Sequence, residues 1–342
     1  MTRHRVTSED VAKFVGVSRT TVSLVLNDVP GIQISPETRQ RVIEAATTLG
    51  YVPNAMAQAL VNRRTQVIGL VFTRQPHHIA TDAFLPQVLD GILEVVRSNN
   101  LRLLIDIVEQ DHQQQAYLQL VRAKHIDGIV LSGPLLDDIA LETLEKEGFP
   151  TVLMGQLPAT GFCSVDVDNR FAARQAVEYL ISLGHRQIAC VTNAPLSYSA
   201  ATDRLQGYRD ALENAGILYD DSLVRFGDFE PESGHIQMSS LLSSGARFTA
   251  GFIASDTVLI GAKAAIRERG LYVPDDISLV GFDDIAWSRY ADPAITTIHL
   301  PAEKIGSQAC TMLLQILKGH EPPQKKLVLP TDLVIRNSCR KL

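Results

Sequence analysis

The stretch TSEDVAKFVGVSRTTVSLVLN, residues Thr7 to Asn27, reads as helix, turn and helix. Thr7 can cap the first helix, and Asp10 places negative charge in its first turn. Val11, Ala12 and Val15 recur at helical spacing and form one apolar face. Gly16 suits a left-handed turn position, and Val17 plugs the turn. Ser18 then caps a second helix, Arg19 to Leu26, whose Val22, Val25 and Leu26 face inward. Such a pair within about twenty residues has the geometry that sets a helix into a DNA groove. A third helix opens at Ser35 with Pro36 in its first position and stops at Gly50. Its apolar face is Val42, Ala45, Ala46 and Leu49. Three short helices around one apolar centre predict an all-α helix-turn-helix headpiece over residues 1–52.

Charge is divided unevenly along the 342 residues. Residues 1–66 hold eight basic and five acidic side chains, net +3, which leaves 24 basic and 33 acidic, net −9, for the rest. A small basic segment on a larger acidic body suits a nucleic-acid module joined to a part that need not touch DNA. At 45% hydrophobic and 20% charged residues, the chain has the composition of a globular protein. No apolar run is long enough to span a bilayer, and MTRHRVTSED has no apolar signal core. The expected compartment is the cytoplasm, with the nucleoid when DNA is bound. Cys163, Cys190, Cys310 and Cys339 are scattered without a C-x-x-C pair, so reduced structural thiols are expected.

The pattern Thr7, Asp10-Val11-Ala12, Gly16-Val17-Ser18, Thr21-Val22-Ser23, Val25-Leu26-Asn27 resembles the headpiece signature of the lactose-repressor (LacI/GalR) family. Thr38-Arg39, Gly50-Tyr51, Pro53-Asn54, Ala57 and Leu60 continue the match in order. Two departures stand out. Val15 replaces the usual Ala, and the stretch from Asp28 to Ile34 is longer than the common form. The resemblance implies a DNA-binding transcription regulator of the repressor type, working as a homodimer on a pseudo-palindromic operator.

Groove chemistry assigns the side chains. Arg19 and Thr20 are the exposed early residues of the second helix, and Leu24 lies one turn on. Arg can bond guanine O6 and N7 together, worth about 1–3 kcal/mol of discrimination. Thr20 offers a hydroxyl or a methyl, and Leu24 only apolar contact. Ser18, Thr21, Ser23, Asn27 and Arg39 are expected on the phosphates, where contacts position without specifying, and Thr7 and Tyr51 are also expected among the DNA-binding residues. Ser18 is equally readable as a cap alone, and Thr21 as a surface residue.

Residues 53–65 are expected to form a hinge helix and linker. A helix of about two turns is marginal alone, so it should fold with DNA. In the family this hinge enters the minor groove, with a Leu wedged into the central step. Leu60 matches that Leu, and Asn54 and Ala57 match its neighbours. A plain linker, with Leu60 packed on the body, is the other reading.

Residues 66–342 alternate strands and helices. Gln66 to Phe72, Leu101 to Val108, Ile126 to Leu131 and Thr151 to Met154 read as strands. Helices fall near Asp82 to Ser98, His112 to Lys124, Asp138 to Gly148 and Phe171 to Leu183. The pattern then restarts at the strand Gln187 to Val191. Strands follow at Leu223 to Phe226, Ala250 to Ala254 and Ser278 to Phe282. The matching helices are Thr202 to Ala215, Ser233 to Ser244, Val258 to Arg269 and Lys304 to Leu317. Alternation of this kind predicts doubly wound α/β units with parallel sheets. The expected class is a periplasmic-binding-protein-like effector and dimerisation domain of two interleaved α/β subdomains, with a ligand between them.

Effector contacts are expected where strand ends meet loops. The resemblance makes Arg204 the ligand-binding Arg, able to donate two bonds to vicinal hydroxyls or a carboxylate. It makes Asp283 the acceptor for two sugar hydroxyls, and Phe229 the aromatic on the ligand's apolar face. Ser255-Asp256 stands where an Asn-Asp pair is common. A mutual or structural ion pair is the alternative for Arg204 and Asp283. Trp287, the sole Trp, could stack on a sugar ring or pack at an interface. Gly155 falls where sugar-responsive members carry Asp, which leaves Gln156 for that polar role, and Phe84 matches an aromatic near the next helix. In the loop Thr73 to His78, Arg74 or His78 could reach the cleft, while adjacent His77 and His78 cannot easily share one metal.

No cofactor and no metal is expected. The P-loop, dinucleotide, nucleophile-elbow and zinc-protease motifs are absent, which argues against an enzyme. A solute-binding module without DNA function would fit the second part alone, but the headpiece and the missing signal peptide argue against it. The expected effector is a sugar, with a purine or another metabolite as the alternative. The lack of C-terminal leucine heptads favours a dimer over a tetramer.

Overall fold

The computed structural model describes residues 6–27, 32–52, 64–108, 113–158 and 160–342. It divides into two units, 1–66 and 67–342. Within those bounds the hinge positions Asn54, Ala57 and Leu60 lie outside the described residues.

Among the described residues the first unit holds three helices, α1 (Ser8–Val15), α2 (Arg19–Leu26) and α3 (Pro36–Leu49). The Thr7 side chain accepts from the Asp10 amide, and Asp10 accepts from the Thr7 amide, closing a capping box. Gly16 and Gly50 end α1 and α3 with φ of 75° and 66°, a conformation that glycine adopts without a Cβ clash. Val11, Val15, Val22, Val25, Val42 and Ala45 are buried together as its core. Arg41 donates to the Val15 carbonyl at 2.6 Å and ties α3 to the turn.

The second unit begins with β1 (Val67–Phe72), α4 (Pro76–Thr81), α5 (Leu85–Ser98), β2 (Arg102–Ile107) and α6 (Gln113–Arg122). It continues through β3 (Gly128–Ser132), α7 (Ile139–Lys146), β4 (Thr151–Met154), β5 (Cys163–Val167) and α8 (Asn169–Ser182). After these come β6 (Ile188–Val191), α9 (Ser199–Asn214), β7 (Val224–Arg225), α10 (Pro231–Ser243), β8 (Ala250–Ile253) and α11 (Asp256–Glu268). The chain closes with β9 (Ser278–Asp283), β10 (Thr296–His299), α12 (Ala302–Leu317), β11 (Lys326–Leu329) and β12 (Asp332–Val334).

Two six-stranded sheets result, ordered β11-β5-β4-β3-β1-β2 and β12-β10-β9-β8-β6-β7. Every pairing is parallel except β10 with β12. The chain passes between the two lobes three times, at Asp168, between His299 and Ala302, and between Leu329 and Asp332. Thus α12 packs on α5 in the first lobe although it follows β10 of the second. Interleaving of this kind lets the lobes pivot without breaking a sheet.

Four strands escaped the sequence reading: β5, β10, β11 and β12 are short and carry Asp, Thr, His or Lys among their apolar positions. The helix expected from Asp82 begins at Leu85 instead, because Asp82 Oδ1 accepts from the amides of Phe84 and Leu85 and ends the preceding turn. Residues 76–81, read as loop, form α4 with Pro76 at its start. All four cysteines are free.

Candidate functional site

Each sheet reverses its strand order once, between β1 and β3 in one lobe and between β6 and β8 in the other. Crevices form beyond the carboxyl ends of strands at such switch points. Both switch points open onto one cleft. Arg74 follows β1, Gly133 and Pro134 follow β3, Asn193 follows β6 and Ser255 follows β8, and all line it.

Polar groups in the cleft come in two opposed sets. In the second lobe, the buried Arg204 donates to Asn169 Oδ1 at 2.9 Å and to the Ala254 carbonyl at 2.6 Å. Its Nη1 stands 3.5 Å from Asp283 Oδ1, and its guanidinium lies 3.7 Å from the centre of the Phe282 ring. Burial pushes the Asp283 carboxyl up to about 6, against the pull of Arg204. Burial likewise raises Asp166, which faces this set from β5 of the first lobe, to about 7, although Asn169 donates to it at 3.0 Å. In the first lobe Arg74 pairs with Asp82, and its guanidinium lies 4.2 Å from the Phe229 ring centre.

Two buried polar atoms in residues lining this cleft have no hydrogen-bond partner: Asn193 Oδ1 and Arg74 Nε. A buried donor or acceptor left unpaired costs about 1–3 kcal/mol. Apolar walls come from Phe84, Met154, Phe229, Leu300 and Ile305. Phe229 has a φ of 62° and Asp283 of 111°, both in the region that favours glycine. Strain of this kind persists only where the surroundings hold it, and it gathers at binding sites.

The sequence-predicted residues Arg204, Phe229, Ser255, Asp283 and Phe84 meet in the cleft. Three others do not. Asp256 is fully buried behind the wall, accepting from the Ile285 amide, Ser288 Oγ and Thr297 Oγ1 at 3.2, 2.6 and 2.8 Å. It therefore braces the loop after Asp283. Trp287 is 65% exposed, in the turns beyond Asp283, and is not among the cleft residues. Gln156 donates to the Val167 carbonyl at 3.1 Å and is likewise not among them. Gly155 itself lines the cleft with φ 127°, where a Cβ would stand 2.6 Å from Pro134 Cδ.

The sequence reading missed Tyr198, Asn193, Asp82, Asp166 and Asn169. Tyr198 donates to the Thr73 carbonyl in the other lobe, and its ring meets Phe229 edge-on at 4.8 Å. Asn193 stands just past the end of β6, a signal that was present in the sequence. Asp166 lies on β5, a strand that was itself not recognised, and Asn169 follows it.

His78 is buried on α4, 5.4 Å from Phe229 between ring centres. Burial lowers its basicity, though Asp228 works the other way. The expectation that His77 and His78 cannot share an ion rested on their adjacency. Their ring centres stand 4.3 Å apart, and with Glu230 their ligand atoms all lie within 4.8 Å of one another.

In the headpiece, Ser18 Oγ accepts from the Thr21 amide at 3.0 Å and shares a 2.8 Å hydroxyl bond with Thr21. Arg19 Nε donates to Ser8 Oγ at 3.0 Å, which fixes the start of the exposed guanidinium. Thr20 is exposed beside it, and Leu24 is half-buried one turn on. Asn27 donates to Ser23 Oγ at 3.1 Å. Thr7, Arg39 and Tyr51 are described but half-buried or engaged locally, Thr7 with Asp10 at 2.7 Å.

Comparison with known proteins matches both units. The profile of bacterial regulatory proteins of the lacI family fits residues 7–54, and a periplasmic binding protein-like domain fits residues 177–339. The HTH-type transcriptional regulator CelR of Thermobifida fusca is 34% identical over 98% of this chain and 99% of its own. The HTH-type transcriptional repressor CytR of Escherichia coli K12 is 34% identical over 98% and 97%. Among solved structures, a lac repressor dimer bound to operator and the anti-inducer ONPF superposes with a TM-score of 0.86 at 31% identity, covering 98% of this chain and all of that one. A CelR–cellobiose complex does so with a TM-score of 0.75 at 34% identity, covering 98% and 100%. Among the described residues no helix is long and apolar enough to cross a membrane.

Proposed function

We propose, since the chain belongs to the LacI family of bacterial regulatory proteins, that it is a repressor controlled by a sugar. It is a DNA-binding transcriptional regulator with an effector-binding domain. The observation that carries the sugar reading is the alternation of charged donors and acceptors around one cleft with aromatic walls. Arg204 beside Asp283, and Arg74 beside Asp82, can each meet a pair of hydroxyls, one group donating and the other accepting. Asn193 Oδ1 and Arg74 Nε supply the unpaired positions. Phe229 and Phe84 suit the apolar face of a pyranose ring. The cellobiose bound by a relative of similar length supports the same class.

The working form is a homodimer in the cytoplasm, acting at the nucleoid on a pseudo-palindromic operator. The lac repressor relative is a dimer on its operator. Arg19 reads guanine, Thr20 and Leu24 read neighbouring bases, and Thr7, Ser18, Thr21, Ser23, Asn27, Arg39 and Tyr51 hold the backbone. Asn54, Ala57 and Leu60 form the hinge contact in the minor groove. Closure of the cleft on the sugar changes operator affinity to the extent that the sugar prefers one lobe arrangement.

A thermal-shift screen against mono- and oligosaccharides, with nucleosides and nucleobases included, tests this reading. A sugar raises the melting temperature by mass action and then changes operator affinity in a binding titration. A nucleobase as the sole hit, or sugar binding with no effect on operator affinity, overturns it.

A further inference from the structure

Beside the effector cleft lies a second cluster that the sugar reading does not use. His77 and His78 sit at the start of α4 in the first lobe. Asp228 and Glu230 sit on the loop before α10 in the second lobe, on either side of Phe229. His77 Nε2 is 3.9 Å from Glu230 Oε1, and His78 Nε2 is 3.5 Å from Asp228 Oδ2. The His78 ring is 3% exposed, yet neither of its nitrogens has a hydrogen-bond partner. A buried imidazole with both nitrogens unsatisfied calls for a ligand. The neighbouring cation Arg74 is already paired with Asp82.

Two imidazoles with carboxylates are the donor set of a zinc-class ion. Around a tetrahedral ion with bonds of about 2.0–2.1 Å, donors stand roughly 3.4 Å apart. The three donor groups His77, His78 and Glu230 lie within 4.8 Å of one another, so small side-chain rotations bring them to an ion. We propose that His77, His78 and Glu230, with Asp228 as a fourth donor, bind a divalent transition-metal ion that bridges the two lobes at the mouth of the effector cleft. Ligation from both lobes opposes opening of the cleft. Because Asp228 and Glu230 flank Phe229, the ion also holds that aromatic against the ligand space.

The test uses the full chain, free of any affinity tag, and Zn2+ alone. Isothermal titration is expected to show one ion per chain. His77→Ala and Glu230→Gln, both at partly exposed positions, are each expected to weaken binding by roughly tenfold or more. Hydrogen exchange with Zn2+ should slow in residues 76–82 and in residues 227–231 together, since one ion ties the two segments. No stoichiometric binding, unchanged affinity in both variants, or protection confined to one segment overturns the proposal. Sugar plays no part in these measurements, so their failure leaves the effector reading standing.

Discussion

The hydroxyl of Tyr198 donates to the carbonyl oxygen of Thr73, joining the loop before α9 in one lobe to the end of β1 in the other. Leu136 reinforces the junction by donating its amide to the Ser197 carbonyl at 2.8 Å. Leu135, Ala194, Tyr198 and Ala201 are buried there together, with Phe229 against them. One side chain thus touches the other lobe and the aromatic wall of the ligand space at once.

Tyr198→Phe removes the cross-lobe bond and keeps the ring. A hydrogen bond of this kind contributes about 0.5–1.5 kcal/mol. Effector affinity is therefore expected to fall by roughly twofold to tenfold. Calorimetric titration of the sugar identified in the screen checks it, and an unchanged Kd would remove Tyr198 from the closure.

Asp283→Asn keeps the shape of the side chain but exchanges an anionic acceptor for a neutral amide beside Arg204. Bonds to charged groups contribute about 1.5–3 kcal/mol, so effector affinity should drop by roughly tenfold or more. Operator binding without effector should persist while its response to effector is lost. A normal response in an operator titration would place the ligand elsewhere.

The buried carboxyls set a pH dependence. Asp283 is held near 6, and Asp166 and Asp256 near 7, all above the ordinary 3.8 because burial disfavours the charged form. The folded chain therefore keeps protons that the unfolded chain has released. Their stabilising contribution is complete below the ordinary carboxyl range and is lost as pH rises through about 6 to 7. Melting of the effector-free protein should accordingly drop between about pH 5 and about pH 8 relative to a variant carrying Asp256→Asn, which cannot ionise there. Sugar hydroxyls need the ionised Asp283, so effector affinity should move the opposite way, rising through about pH 6. Calorimetry across that range reads both slopes.

Gly261 of α11 faces α10 so closely that a Cβ there would overlap the Pro231 carbonyl oxygen. Gly234 of α10 meets the Val258 carbonyl oxygen in the same way. Gly261→Ala is expected to destabilise by about 1–3 kcal/mol through overpacking, despite the better helix propensity of Ala. Urea unfolding followed by circular dichroism checks it. Equal midpoints would mean that the two helices can slide apart at no cost.

Arg19→Ala removes the guanidinium that Ser8 steadies at 3.0 Å. Specific operator affinity should fall by about 1–3 kcal/mol, and specificity should relax at one base position. Binding to unrelated DNA should change much less and keep its steep salt dependence. A uniform loss on all sequences would make Arg19 a backbone contact.

The headpiece was legible because its determinants are local. The Thr7 and Ser18 caps, the Gly16 and Gly50 turns and the Val11-Val15-Val22-Val25 face each depend on neighbours a few residues away. The same held for the alternating elements of both lobes, whereas Arg204 in α9 and Asp283 at the end of β9 were singled out by the family resemblance alone. Gly281 shows where local reading stops: a Cβ there would collide with Asp256 Oδ1, so the backbone of β9 needs Gly because of a residue 25 positions earlier.

Tertiary structure alone decided which polar residues share one space. Nothing near Asp256 in the sequence says that Ser288 and Thr297 consume its carboxylate, or that the turns after Asp283 carry Trp287 out to solvent. Nor does local pattern place β11 in the first sheet or bring Tyr198 to Thr73, because both depend on the three crossings between lobes. Helix caps, turns and periodic faces are set by interactions over a few residues, and so they are written in the order of residues. A cleft is assembled from strand ends far apart in the chain, and its contacts exist only after the sheets have closed over their cores.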